Sequence, residues 1–326
     1  MVAAPEAWLV VVPLAWAVLA VAVPERWRGR VAVAGITAQL VLAVELARQV
    51  LAGGARIHEV GAWGAPLGID LLADGLAAVM ILLSAVVALA LALYARTWLV
   101  ASRSRSPWLW PLLATLLAGL DLLFLTGDLF NVYVGLELVG LSAVALVAVE
   151  GKAAQVRAAW RYLVASLVAA GAWLLGVALL YGAYGTVSIA VITGAMQPSV
   201  PLAVTLALVL MALALAVKGA IFPFHFWLPA AHGSAPTPVS ALLSALVVKA
   251  PFYLLLRLRL TLPDGVATAP DDAEEVVIVG ASEIGFQAAR EFEDHGFRPR
   301  LIEQDHERAR EVAEALPNTM VMESNA

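Results

Sequence analysis

The chain has 326 residues, of which 62% are hydrophobic and 14% are charged, and it contains no cysteine. Ordinary soluble domains are about 45–50% apolar and about 25% charged, so this composition excludes that class. Without cysteine there are no disulfides and no thiol chemistry, and the five histidines are scattered, so we expect no metal site.

Long apolar segments predict a polytopic α-helical membrane protein with about eight spans, because backbone groups inside a bilayer must be satisfied internally. The approximate spans are 7–23, 31–52, 69–95, 107–127, 129–149, 158–183, 202–222 and 236–258. Basic residues concentrate in the loops that follow spans one, three and five, so these loops are expected to be cytoplasmic. Both termini would then face the outside of the cell membrane.

Three charged residues interrupt these apolar segments. Glu137 lies in span five, Lys218 in span seven and Lys249 in span eight. A charge at the bilayer centre costs about 2.5–3.5 kcal/mol on insertion scales, so such residues face the bundle interior, pair with one another, or line a water-filled path. Gly219 and Pro223 follow Lys218 closely and predict a broken helix whose free backbone groups line a polar cavity.

We therefore predict a proton relay formed by Glu137, Lys218 and Lys249. Burial disfavours the charged form of each side chain, whereas pairing with an opposite charge favours it, so these groups can exchange protons. His225 and His232 follow the break and are candidate members, because histidine titrates near neutrality. The alternatives are a static Glu137–Lys218 ion pair, an aromatic-packed His225 and a solvated His232. We predict structural roles for three other polar residues. Asp128 caps the N-terminus of span five, whereas Asp74 and Asp121 lie toward span ends and reach water.

The pattern changes after residue 260. Residues 261–275 predict a polar linker. Strands at "VVIVG", "RPRLIEQD" and "TMVME" alternate with two helical segments, which predicts a small partial α/β Rossmann-like unit over 276–326. From Asp271 onward the chain carries 14 acidic and 5 basic residues, so the tail is acidic while residues 1–260 form the membrane domain.

A variant of the dinucleotide fingerprint opens this tail. The first and last glycines are present, a serine replaces the middle one, and an acid at the end of the second strand is placed for a ribose hydroxyl. The pyrophosphate would lie at the helix N-terminus. The predicted dinucleotide-binding residues are Gly280, Ser282, Glu283, Ile284, Gly285 and Glu303.

The segments "LTGDLFNVYVGLELVGLSAVALVA" and "VKGAIFPFHFWLPAAHGSAPTPVSALLSALVVKAPFYLLLR" resemble the antiporter-like subunits shared by Mrp-type Na+/H+ antiporters and respiratory complex I, and most of all the D-type subunit. The resemblance implies that Glu137, Lys218 and Lys249 form the proton path, with His225 and His232 in the loop before span eight. It also implies other antiporter-complex membrane subunits as partners, H+ and Na+ or K+ as transported ions, and no cofactor requirement for transport.

Members of that family usually contain two inverted five-helix repeats. Spans four to eight correspond to the first repeat, so we expect a chain truncated after span eight. The tail is similar to the nucleotide-binding (KTN/RCK) domain of Trk-type potassium-uptake regulators, with counterparts to "ASEIG" and "LIEQDHERA". This second resemblance implies NAD(H) or adenine nucleotide binding without hydride transfer.

The sequence thus predicts a membrane subunit of a monovalent cation/proton antiporter, with no enzymatic site and no nucleic-acid partner. One alternative is a nucleotide-sensing regulator of potassium transport whose membrane part is an anchor. The other is a proton-translocating subunit of a respiratory NADH dehydrogenase-like complex, although no residue here is suited to bind quinone or a redox centre.

Overall fold

The structure, a computed structural model, describes residues 4–63, 68–102, 106–196, 201–261, 275–279, 286–287, 289–290, 293 and 298–323. The chain divides into two compact units, Met1–Pro263 and Asp264–Ala326. Most of the predicted linker, residues 262–274, lies outside the described residues.

The first unit is a bundle of apolar helices. In chain order its described helices are α1 (Pro5–Ala22), α2 (Glu25–Gly53), α3 (Gly75–Ser102), α4 (Leu109–Leu125), α5 (Leu129–Val147), α6 (Ala153–Tyr184), α7 (Ile189–Ala195), α8 (Leu202–Lys218), α9 (Leu228–Ser234), α10 (Thr237–Leu242) and α11 (Lys249–Thr261). A π-helical segment, Leu243–Val247, joins α10 to α11.

Six of these described helical segments are long and apolar enough to cross a membrane: α1, α2, α3, α5, α6 and the continuous stretch Thr237–Thr261. The remaining two predicted spans correspond to α4 and α8, which are apolar but only 17 residues long. A polytopic helical membrane protein is therefore confirmed, with six spans supported by length and two shorter helices at the other predicted positions.

Close helix packing centres on α4, which is buried along nearly its whole length and packs against α1 and α5. Gly119 of α4 and Gly135 of α5 allow this approach. A Cβ at Gly119 would lie 3.0 Å from the backbone nitrogen of Val139, and one at Gly135 would lie 3.2 Å from Cβ of Leu123. Small residues at helix contacts let membrane helices pack at short range. Helix α6 packs against α5 and α8.

The connections after α2, α4 and α6 meet at one end of the bundle. Strands β1 (Arg56–Glu59) and β2 (Asp70–Ala73) form an antiparallel hairpin. The backbone N–H of Gly127, between α4 and α5, donates to the Asp70 carbonyl, and that of Ile189 donates to the Gly127 carbonyl. Asp128 caps α5 by accepting a hydrogen bond from the Asn131 N–H at 2.8 Å, which confirms the predicted cap.

The second unit contains a three-stranded parallel sheet of β3 (Glu275–Val279), β4 (Arg298–Glu303) and β5 (Met320–Glu323), in that order. Helix α12 (His306–Ala315) connects β4 to β5. The core of this second unit consists of Ala289, Leu301, Val312 and Leu316. Strands lie at the predicted positions, but this small sheet alone does not define a Rossmann-like nucleotide-binding fold.

Candidate ion-pair site in the membrane unit

Three helices bring the polar groups of the candidate site together. Lys218 ends α8, and its Nζ lies 2.8 Å from Oε1 of Glu137 in α5. The same ammonium donates to Oγ of Ser166 in α6 at 2.8 Å. The two charged side chains are only 5% and 14% exposed, so the predicted burial of Lys218 and Glu137 is confirmed.

The end of α8 suits a cation. Unpaired carbonyl groups at a helix C-terminus carry partial negative charge, which stabilises a nearby ammonium. The ammonium of Lys218 therefore has a carboxylate, a hydroxyl and the helix end as neighbours. These partners offset the cost of holding a charge away from water.

Gly140 of α5 provides the space for this ammonium. A Cβ at this position would lie 2.9 Å from the Ser166 Oγ and 3.4 Å from the Lys218 Nζ. A small cavity of about 10 Å³ adjoins Lys218 and extends to Val247 and Ala250. It is about large enough for one water molecule, and it points from the ion pair toward the segment that carries Lys249.

The helix break predicted after Lys218 is present. Gly219 caps α8, and Ala220 adopts a left-handed conformation with φ of 52°. The indole N–H of Trp227 donates to the Val217 carbonyl at 2.9 Å, so it satisfies one of the groups at the broken end. Trp227 also stacks on Tyr162 of α6 with ring centroids 4.1 Å apart. The predicted span 202–222 therefore ends at Lys218 and continues as short helical turns.

Among the described hydrogen bonds and ion pairs, none joins the other predicted relay residues to the pair. His225 is exposed, with its ring 5.7 Å from that of Phe222, which agrees with the aromatic-packing alternative. His232 in α9 is partly buried, and its Nδ1 lies 2.9 Å from Oγ of Ser240. Lys249 is exposed in this chain, so the prediction that it is buried is wrong. It begins α11 and lies on the outer face of the helix, and its relay role stays a prediction.

Sequence reasoning misses two partners of the site, Ser166 and Gly140. A single serine or glycine within an apolar helix carries no signal that distinguishes a functional contact from close packing. It also misses a second ion pair: Arg257 of α11 binds Asp74 at 2.8 Å and receives support from Tyr253, whose hydroxyl accepts from its Nε at 2.6 Å. Arg257 lies near a predicted span end, where a basic residue ordinarily reaches the interface.

The nucleotide prediction falls largely outside the described residues. Gly280, Ser282, Glu283, Ile284 and Gly285 all lie there. Glu303 is described at the end of β4, where its Oε1 accepts hydrogen bonds from the backbone N–H groups of Gln304 and Asp305. Among the described residues, no group of three His, Cys, Asp or Glu side chains is arranged to hold a metal ion.

The fold and the site together define a polytopic membrane protein that holds a charged pair at a helix break inside its bundle. Residues 126–281 match the family described as "NADH:quinone oxidoreductase/Mrp antiporter, TM". This segment, which contains Glu137, Ser166, Lys218 and Lys249, is similar to that transmembrane family.

Individual relatives agree with this match. The chain is 34% identical over 67% of its length to the D-type subunit of the Na(+)/H(+) antiporter of Bacillus subtilis, covering 44% of that protein. It is 38% identical over 71% of its length to the N-type subunit of the NADH-quinone oxidoreductase of Desulforudis audaxviator, covering 46% of it. In the solved structure of the Mrp complex from Dietzia sp., one chain is similar with a TM-score of 0.69 and 31% identity, over 78% of this chain and 48% of that one. The chain thus spans about half the length of the relatives it matches.

Proposed function

We propose that this chain is a membrane subunit of a monovalent cation/proton antiporter of the plasma membrane, and that it carries protons through Glu137 and Lys218. The observation that carries the proposal is the buried Glu137–Lys218 pair at the end of the broken helix α8. Each charge is costly to hold away from water, and the ion pair, together with the Ser166 hydroxyl that accepts from Lys218, offsets that cost. The D-type antiporter relatives support exchange against Na+ or K+ within a larger complex of membrane subunits.

Three further residues extend the proposed path. The small cavity beside Lys218 adjoins Val247 and Ala250, next to Lys249 in sequence. We place Lys249 after Lys218 in the relay, at the face where α11 is exposed. His232, with its partly buried ring, and His225 connect the break to solvent. This order rests on position along the chain and on the cavity, and no direct contact between these residues is required because water can bridge them.

The first prediction tests the pair. Lys218→Ala and Glu137→Ala remove one member each and leave the other buried without its partner, so transport should be abolished. Cation-dependent proton exchange would be measured with a pH-sensitive dye in inverted membrane vesicles, and assembly by co-purification of the partner subunits. Lys152→Ala is the matched control, because Lys152 also pairs with a glutamate at 2.8 Å but is 68% exposed. Normal transport by both pair variants would contradict the proposal.

A respiratory role is the second candidate, because the relative from Desulforudis audaxviator belongs to an NADH-quinone oxidoreductase. In that case the same Glu137–Lys218 pair would carry protons driven by quinone reduction in a partner subunit. The two functions differ in what drives proton movement. Proton exchange that follows an imposed Na+ or K+ gradient supports the antiporter, whereas movement that requires NADH and quinone supports the respiratory complex.

Nucleotide sensing by the tail is a third, separate proposal, in which the membrane unit serves chiefly as an anchor. The parallel order of β3, β4 and β5 and the position of Glu303 at the end of β4 favour it. We propose NAD(H) or an adenine nucleotide as ligand, held by the glycine segment 280–285 with Glu303 on the ribose. Calorimetry on the full chain should show saturable binding that Glu303→Ala removes. No binding of NAD(H) or ATP would reject this proposal without affecting the membrane site.

A further inference from the structure

A second polar pair lies inside the bundle, away from Glu137 and Lys218. Nε2 of Gln39 in α2 donates a hydrogen bond to Oδ2 of Asp121 in α4. Each of the two side chains belongs to a residue that is 1% exposed. The prediction that Asp121 reaches water is therefore wrong: α4 is a short helix surrounded by other elements, and its C-terminal turn is buried.

The partners of Asp121 do not compensate a negative charge. Within the described part of the chain, Gln39 is the only hydrogen-bond partner of this carboxyl, and no charged side chain contacts it. The ion pairs described on the elements packed against α4 have other partners: Glu6 with Arg56, Glu45 with Arg48, Glu137 with Lys218, and Arg257 with Asp74. An ionised carboxylate that is buried with one neutral partner costs several kcal/mol, so the neutral acid is the cheaper form.

The amide oxygen of Gln39 gives independent evidence that the Asp121 carboxyl is protonated. Its Oε1 is buried and accepts no hydrogen bond from the described residues. Buried polar atoms are nearly always satisfied, so each exception requires an explanation. Because Oε1 and Nε2 are bonded to one carbon, Oε1 can accept a proton carried on the second oxygen of the carboxyl that Nε2 already contacts. A carboxylic acid and an amide would then exchange two hydrogen bonds in a closed ring.

We propose that Asp121 is a proton-binding site that keeps its proton permanently, as a neutral carboxylic acid paired with the Gln39 amide. This inference is independent of the proposed transport function. Asp121 and Gln39 line none of the three cavities of about 430, 290 and 20 Å³ described in the bundle. The pair joins α2 to α4 without placing a net charge in the bilayer.

Infrared spectroscopy of the full chain tests the proposal directly, because a protonated carboxyl and a carboxylate have separate stretching bands. Asp121→Asn should remove one carboxylic-acid C=O band and no carboxylate band, at every pH at which the protein stays folded. Asp74→Asn is the matched control: Asp74 pairs with Arg257, so this variant should lose carboxylate intensity instead. Loss of carboxylate intensity in Asp121→Asn would overturn the proposal.

Two further variants separate this pairing from a general effect on folding. Gln39→Leu should shift the acid band to higher frequency, since the carboxyl loses its partner. The exchange Gln39→Glu with Asp121→Asn rebuilds an acid–amide pair and should restore the band. Carbon-13 labelling of aspartate carboxyls in the unmodified chain should shift the band, which assigns it to an aspartate and not to a glutamate. Transport by Asp121→Asn should be unchanged within about twofold, and a loss comparable to that of Glu137→Ala would show that the proton is exchanged.

Discussion

Buried ionisable side chains of the membrane unit have markedly different partners. Glu6 binds Arg56, Arg257 binds Asp74, Lys218 binds Glu137 and Ser166, and Asp121 binds only Gln39 among the described residues. Removing one member of a buried ion pair costs about 3–5 kcal/mol, because the other charge remains uncompensated. The Lys218–Glu137 pair, whose side chains are 5% and 14% exposed, is therefore expected to be sensitive to truncation of either partner. Removing Glu6 or Arg257 costs less, because Arg56 (41% exposed) and Asp74 (32% exposed) can reach water.

Gly140 gives a prediction about the space around Lys218. Gly140→Ala places a Cβ 2.9 Å from the Ser166 hydroxyl, so the serine or the ammonium must shift. We expect transport to fall at least tenfold while overpacking costs about 1–3 kcal/mol of stability. The measurement is proton exchange in vesicles together with the thermal unfolding midpoint.

Gly171→Ala in α6 is the control for that variant, because a Cβ there meets nothing within 4 Å. It should leave transport unchanged and slightly favour the helix. Equal transport by the two glycine variants would show that the space at Gly140 is unimportant.

The sequence is informative about residues where an apolar run makes a charge conspicuous. Glu137 and Lys218 are predicted to be buried for this reason, and their pairing is one of the stated alternatives. Sequence reasoning does not identify Ser166 and Gln39, because neutral polar residues are tolerated in membrane helices and their partners come from helices distant in sequence. The burial predicted for Lys249 is wrong because an apolar sequence environment does not say which face of a helix is covered.

At the scale of the element, the end of α8 is fixed by local backbone geometry. Gly219 and Pro223 indicate a break, and the helix ends at Lys218 as expected. The sequence does not indicate that Trp227 returns to bond the Val217 carbonyl, since that contact depends on how the following turns fold back. The break is therefore an ordered structure, held by this hydrogen bond, and is more than an interruption of the helix.

Ala220 supplies a prediction for this element. Its φ of 52° is left-handed, which costs a residue with a Cβ about 1–2 kcal/mol. Ala220→Gly should therefore raise the free energy of unfolding by about 1 kcal/mol, after allowing for the greater freedom of glycine in the unfolded chain. Thermal unfolding in detergent measures the change.

Ala203→Gly, at an exposed site in α8, should have the opposite sign and cost up to about 1 kcal/mol. A destabilised Ala220→Gly variant would mean that the left-handed turn is not maintained in the folded protein.

The cap of α5 gives a pH-dependent prediction. Burial raises the pKa of Asp128, and Asp70 adds to the effect, while the N–H groups of Asn131 and Phe130 oppose it. The folded state thus holds this proton more tightly than the unfolded chain, so stability falls as pH rises from the unfolded to the folded pKa. Asp128→Asn keeps the cap without the charge and should be more stable than the parent at neutral pH.

That advantage should disappear when the pH falls below the ordinary pKa of aspartate, where both side chains are neutral. Asp128→Ala is the companion variant, because it loses the cap itself and should cost about 1 kcal/mol. Unfolding midpoints across a pH series distinguish the two effects. An Asp128→Asn variant whose stability is lower at neutral pH would show that the ionised cap is favourable.

At the scale of the whole molecule, hydropathy is sufficient to locate the helices but not their exact ends. All eight predicted spans coincide with helices or helical segments, yet α4 and α8 are shorter than expected because a turn and a break end them early. The orientation in the membrane depends on the basic loops after spans one, three and five. An even number of crossings then leaves both termini on the same side.

A reporter fused after Ala326 tests this topology. We expect an external C-terminus, because the basic loops are cytoplasmic and the spans are even in number. The measurement compares a reporter active only outside the cell with one active only in the cytoplasm, and a fusion in the loop after span five, at Lys152, is the internal control. A cytoplasmic C-terminus would show an odd number of crossings and would bring the tail into contact with intracellular nucleotides.

The π-helical segment Leu243–Val247 determines which side chains of α11 face the bundle. One extra residue per turn rotates the remainder of the helix by about 100° relative to an uninterrupted α-helix. The side on which Lys249 emerges is therefore fixed by this single offset. Deleting one residue within the segment would rotate Lys249, Tyr253 and Arg257 together about the helix axis. The same rotation would break the Arg257–Asp74 ion pair.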